Sequence, residues 1–208
     1  MSKISKTVIS PQHHELLRQF LSFSNLTLVG GTALALQIGH RASYDLDFVT
    51  SGPISEQLVS EILQTVKPKK VIQRLQSDRQ YTAFFDDIKI TVFQDESEFL
   101  HPRFSFDGLN LGSVKDIFAT KLFILGKRSE WRDYVDIAFC LKHNYADLGT
   151  GLRESMKRYN VSEKWILEPM TYFDDLQVVP VEWLRESMPE DEVKETLVKK
   201  VKEYLRTL

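Results

Sequence analysis

The sequence predicts an α+β chain: a mixed β-sheet flanked by helices, followed by a helical C-terminal part. Three observations carry this. Apolar residues recur at helical spacing in several segments, most clearly Leu58, Val59, Ile62, Leu63 and Val66. Between residues 71 and 93 the period changes to two, in β-branched and aromatic runs separated by Ser77-Asp78 and Asp86-Asp87. From Ser113 onward the pattern is helical almost to the end. The expected division is an α/β core over 1–100 and a helical region over 101–208 packed on that core.

Each element has a local reason. Ser10-Pro11 supplies a cap and a first-turn proline for a helix striped by Leu16, Leu17, Phe20 and Leu21. Leu26 to Val29 is a short apolar strand ending on Gly30-Gly31-Thr32, and Ala33 to Ile38 is a helix that Gly39 stops. Tyr44 to Val49 alternates as a strand. The amphipathic helix after Ser51-Gly52-Pro53 ends at Pro68. Val71–Gln76, Tyr81–Phe85 and Ile88–Phe93 read as strands, the last two as a hairpin. Ser113 with Asp116 makes a capping box for a helix to about Lys127. Trp131 to Lys142 is the next helix, and weaker patterns cover 146–158 and 163–173. Ser187 with Glu190 opens a last helix, striped by Val193, Leu197, Val201 and Leu205.

Composition narrows the function classes. At 208 residues and 42% hydrophobic, the chain can bury a substantial core. A formal charge of −2 gives no general grip on nucleic acid or membrane, so any such contact needs a local patch. The single Cys140 excludes an internal disulfide framework and a cysteine-built zinc site. No run approaches the roughly 20 apolar residues of a membrane span. Met1 to Ser10 lacks the apolar core of a signal peptide. The expectation is a soluble, cytoplasmic protein.

The informative segment is Leu28-Val29-Gly30-Gly31-Thr32 followed by Asp45-Leu46-Asp47-Phe48. Carboxylates at i and i+2 of a strand point to one face. Like charges there repel, and a divalent cation removes the conflict. Mg²⁺ takes hard oxygen ligands and leaves positions for phosphate. Paired glycines between a strand and a helix let backbone N–H groups approach a phosphate, and Thr32 adds a hydroxyl. Alone, Gly-Gly is a tight turn and Asp-x-Asp a solvated edge. Their order and spacing together point to a metal–phosphate site. It is not a Walker loop, because no Gly-Lys-Ser/Thr follows.

This Gly-Gly-Thr and Asp-x-Asp pattern resembles the nucleotidyltransferase superfamily, the fold of DNA polymerase beta. VGGTALALQIGHRASYDLDFVT is similar to the AbiEii/AbiGii family of nucleotidyltransferase toxins. SVKDIFATKLFILGKRSEWRDYVDIAFCLK resembles that family's helical motif, and YFDDLQVVP its ending; the likeness spans roughly residues 25 to 180. It implies a Mg²⁺-dependent (or Mn²⁺-dependent) enzyme that moves an NMP from an NTP to an acceptor hydroxyl on RNA, tRNA or protein. It implies a toxin of a toxin–antitoxin or abortive-infection system, with a separately encoded antitoxin as genetic partner. Asp45 and Asp47 would hold the metal, and Gly30, Gly31 and Thr32 the phosphates. Lys121 and Arg128 would bind the triphosphate, with Asp136 and Asp133 orienting Lys121. Unaided, the residues Lys121, Asp133 and Asp136 also read as a structural ion pair between two helices. Arg41 either pairs with a carboxylate or meets a phosphate.

One position departs from the superfamily pattern, which generally presents a third carboxylate on a neighbouring strand. Thr91 stands there, in Ile88-Lys89-Ile90-Thr91-Val92-Phe93, and a threonine is no base at neutral pH. Asp95 shares its parity near the strand's end. The alternative reading is therefore a nucleotide-binding domain with weak or no turnover; a structural or partner-binding domain is the third. Other residues have plain readings: His13-His14 a solvated helix start, Cys140 a core residue, Trp131, Trp165 and Trp183 packing anchors. His40, His101 and His143 lack metal-ligand spacing.

Overall fold

The computed structural model describes residues 8–208. The stretch 1–7, part of the segment read above as lacking a signal-peptide core, lies outside them. The chain divides into a first unit ending at Gly112 and a second beginning at Ser113. No helix among the described residues is long and apolar enough to cross a membrane.

In the first unit, α1 (Pro11–Gln19), α2 (Gly30–Ile38) and α3 (Glu56–Val66) accompany one mixed sheet. Its strands are β1 (Thr27–Val29), β2 (Leu46–Thr50), β3 (Val71–Gln76), β4 (Gln80–Phe85), β5 (Ile88–Gln94), β6 (Phe104–Phe106) and β7 (Leu109–Leu111). They lie in the order β3-β4-β5-β2-β1-β7-β6. β2 is central, antiparallel to β1 and parallel to β5. Alternation sorts the side chains. Leu46 and Phe48 of β2, Ile90 and Val92 of β5, and Tyr81 and Ala83 of β4 are fully buried. The opposite parity, beginning with Asp45 and Asp47, forms the other face. Phe20 stacks on Phe48 with centroids 4.4 Å apart. Burying a ring of that size contributes about 2–3 kcal/mol.

The hairpin β6–β7 differs from the sequence reading, which began a helical region at 101. Asp107 and Gly108 both have positive φ, at 47° and 91°. This is the two-residue turn that Asp-Gly favours. Because β7 pairs in parallel with β1, the sheet unit extends to Gly112.

The second unit holds α4 (Val114–Leu125), α5 (Trp131–Lys142), α6 (Leu148–Tyr159), α7 (Glu163–Leu167) and α8 (Glu190–Leu205). The Ser113 hydroxyl accepts from the Asp116 amide and donates to the Asp116 carboxylate, closing the expected cap on α4. α4 packs on α5 and α6, and α5 on α8. The pattern over 163–173 stops early because Pro169 cannot continue α7. Pro189, not Ser187, occupies the N-cap position of α8, and it makes no side-chain cap bond. Trp131 is buried as expected, whereas Trp165 is 41% exposed.

Candidate active site

The site is built where β1 becomes α2. Val29 pairs in register with Asp47, so the residue after Val29 must pass beside the Asp47 side chain. That residue is Gly30, at φ +68°, a left-handed conformation that glycine adopts without strain. A Cβ placed on Gly30 would lie 2.7 Å from Asp47 Oδ2. A side chain there would be strained and would have to displace Asp47. A Cβ on Gly31 would meet Arg41 Nη2 at 2.6 Å. The two glycines thus bring backbone against a carboxylate on one side and a guanidinium on the other. α2 starts at Gly30, and its N-cap residue Val29 makes no side-chain cap bond; the N–H groups of a helix's first turn have no intrahelical partner.

Thr32 is 1% exposed and faces inward. Its hydroxyl bonds to the Asp45 carbonyl and reaches Ser43 Oγ at 2.9 Å. It therefore ties the helix start to the chain entering β2. Arg41 is 4% exposed, and its Nη1 donates to the Ala42 carbonyl at 2.9 Å. That burial places it beneath the glycine hinge. His13 corrects the solvated reading: it is buried, and its Nε2–H donates to the Tyr44 carbonyl at 2.8 Å. Both contacts hold the loop that delivers Asp45.

Asp45 lies just before β2 and Asp47 within it, both partly exposed beside buried Leu46 and Phe48. Thr91 stands directly beside Asp47 in the β2–β5 register. Asp95 is no substitute. Four residues further along the chain is about 13 Å of strand, and its carboxylate accepts from the Ser97 amide at 2.9 Å and hydroxyl at 2.6 Å. Lys89, two residues before Thr91 and therefore on the same face of β5, places its ammonium 3.6 Å from Asp45 Oδ2.

Among the described residues no three His, Cys, Asp or Glu side chains gather into a metal-binding cluster. Two carboxylates beside a helix N-terminus still suit one kind of ion. Mg²⁺ binds through one or two carboxylates, keeps waters, and takes substrate phosphates for the rest. The donor set fits it.

The second unit gathers the other charged residues named from the sequence. Lys121 Nζ lies 2.6 Å from Asp133 Oδ1 and 2.8 Å from Asp136 Oδ2, with side-chain exposures of 6%, 4% and 0%. Arg128 Nη2 meets Asp133 Oδ2 at 3.1 Å and is half exposed. Asp133 is thus shared by a buried ammonium and an accessible guanidinium. Cys140, one turn beyond Asp136, is fully buried. Burial first, and the Asp136 charge second, push its thiol up, so it is a core residue rather than a nucleophile.

Known proteins agree with this architecture. A chain of Helicobacter pylori, JHP933, superposes with a TM-score of 0.58 at 18% identity, covering 99% of this chain and 94% of that one. The antibiotic-resistance factor ANT(2'')-Ia matches with a TM-score of 0.52 at 12% identity, over 70% of this chain and 88% of its own. These likenesses concern the fold. An uncharacterized protein of Aquifex aeolicus is 29% identical over 95% of this chain and 98% of its own length. The sequence model described as nucleotidyl transferase AbiEii toxin, type IV TA system, matches residues 15–208. The chain belongs to this AbiEii family of nucleotidyltransferase toxins.

Proposed function

We propose that this nucleotidyltransferase uses Mg²⁺ to move an NMP from an NTP to an acceptor hydroxyl on RNA, tRNA or protein, acting as the toxin against which an antitoxin is encoded. The observation that carries the reading is the closeness of Asp47 to Gly30, which sets a carboxylate beside a helix N-terminus. Asp45 and Asp47 would hold the metal. When bound, that ion supplies charge neutralisation at the transferring phosphoryl group. The amides at Gly30, Gly31 and Thr32 would bind phosphate oxygens, and the glycines would keep side chains out of the way. Arg41, buried under Gly31, would hold the hinge in place. Lys121 and Arg128, fixed by Asp133 and Asp136, are proposed on the family resemblance to bind the nucleotide's phosphates.

Thr91 beside Asp47 favours a second reading, nucleotide binding with little turnover. One experiment separates them. The chain is incubated with each α-labelled NTP, Mg²⁺ and a lysate fraction containing RNA and protein. Label transfer that Asp47→Ala abolishes supports the transferase. Metal-dependent NTP binding without transfer supports the binding domain, and no NTP binding contradicts both.

A further inference from the structure

We propose that Lys89 is a phosphate-binding residue of the carboxylate site, releasing Asp45 to the metal and turning to the polyphosphate of the nucleotide. The inference rests on the metal–nucleotide reading of Asp45 and Asp47 and adds a residue and a change of partner to it.

The geometry supplies the argument. Thr91 is in register with Asp47, and Leu46 with Ile90, so Lys89 is the neighbour of Asp45 across the β2–β5 pair. Strands there stand about 4.8 Å apart, and the Lys89 ammonium spans the gap to 3.6 Å from Asp45 Oδ2. The pair is open, with side-chain exposures of 39% for Lys89 and 48% for Asp45. Open ion pairs of this kind contribute little and separate easily. A divalent ion carries twice the charge and displaces the ammonium from the carboxylate. The released lysine stays on the same sheet face, on a flexible stem, beside a position that polyphosphate would occupy. An ammonium is a common point-charge partner for phosphate. Without metal, Lys89 shields Asp45; with metal and nucleotide, it adds a cation beside the two acidic ligands.

The consequence is a pair of opposite effects. Removing Lys89 takes a competitor from Asp45, so Mn²⁺ alone binds more tightly. It also takes a partner from the polyphosphate, so Mn²⁺-tripolyphosphate binds more weakly. A surface ion pair with no role toward phosphate would raise Mn²⁺ affinity alone, and damage to the fold would weaken both.

The test uses the full chain with Mn²⁺ followed by electron paramagnetic resonance, and inorganic tripolyphosphate with Mn²⁺ followed by calorimetry. For Lys89→Met we expect Mn²⁺ affinity to rise and tripolyphosphate affinity to fall, each by roughly three- to tenfold. Lys89→Arg should stay near wild type for both. A tripolyphosphate affinity that does not fall in Lys89→Met, or both affinities lowered, overturns the role given to Lys89 while leaving the metal site standing. If wild-type chain binds no Mn²⁺ that Asp47→Asn removes, the underlying metal reading fails, and the inference with it.

Discussion

Asp47 Oδ2 lies 2.7 Å from the position a Cβ on Gly30 would occupy. The two residues are seventeen apart in sequence, and the antiparallel β1–β2 register joins them through the Val29–Asp47 pair. A hinge glycine and a carboxylate therefore form one unit of structure. A side chain added at Gly30 would displace Asp47.

Gly30→Ala tests that coupling. The alanine must adopt φ +68° and push Asp47 aside. The left-handed conformation alone costs roughly 1 kcal/mol, and the collision adds to it. The expected outcome is a stability loss of about 1–3 kcal/mol in urea titrations, with weaker Mn²⁺ binding in the folded fraction. An unchanged urea midpoint would show that the hinge has room.

The buried triad of Lys121, Asp133 and Asp136 makes a different prediction. Lys121→Met leaves two carboxylates buried with reduced compensation, which typically costs about 3–5 kcal/mol. Adding Asp133→Asn and Asp136→Asn should recover much of that loss, since neutral amides are cheaper to bury than charges. Chemical denaturation of the single and triple variants reads this directly. Equal stabilities would mean that the charges do not matter to the fold.

Asp147 gives a pH-dependent prediction. It caps α6 by accepting the Thr150 amide at 2.8 Å, and that hydrogen bond, ahead of the nearby Arg153 charge, holds its carboxyl below the usual range. A depressed carboxylate contributes stability above its unfolded value, about pH 4, and loses that share as pH falls through its folded value. Asp147→Ala should cost about 1 kcal/mol at pH 7. The gap between variant and wild type should narrow below about pH 4. Thermal melts from pH 7 to 3 check it, and a gap that widens on acidification would contradict the cap.

The sequence was most legible where local rules act. Ser113 capped α4, Trp131–Lys142 formed a helix as read, and the parity of Asp45 and Asp47 put them on one sheet face. Asp107-Gly108 between Phe104-Ser105-Phe106 and Leu109-Asn110-Leu111 carried a hairpin signal that the helical pattern after Ser113 overshadowed. Contacts between distant segments were harder to read. His13 is buried because Tyr44, thirty-one residues away, offers it a carbonyl. Lys89 finds Asp45 only through strand pairing. Local periodicity contains neither partnership.

The central claim is that Asp45, Asp47 and the Gly30-Gly31 hinge together hold a metal-bound polyphosphate. The most direct measurement is calorimetric titration of wild type and Asp47→Asn with a non-hydrolysable NTP analogue, with Mg²⁺ and with chelator. The account predicts binding that needs Mg²⁺ and weakens at least about tenfold in Asp47→Asn, with the melting temperature little changed. Equal affinity in the two proteins, or binding indifferent to Mg²⁺, would contradict it.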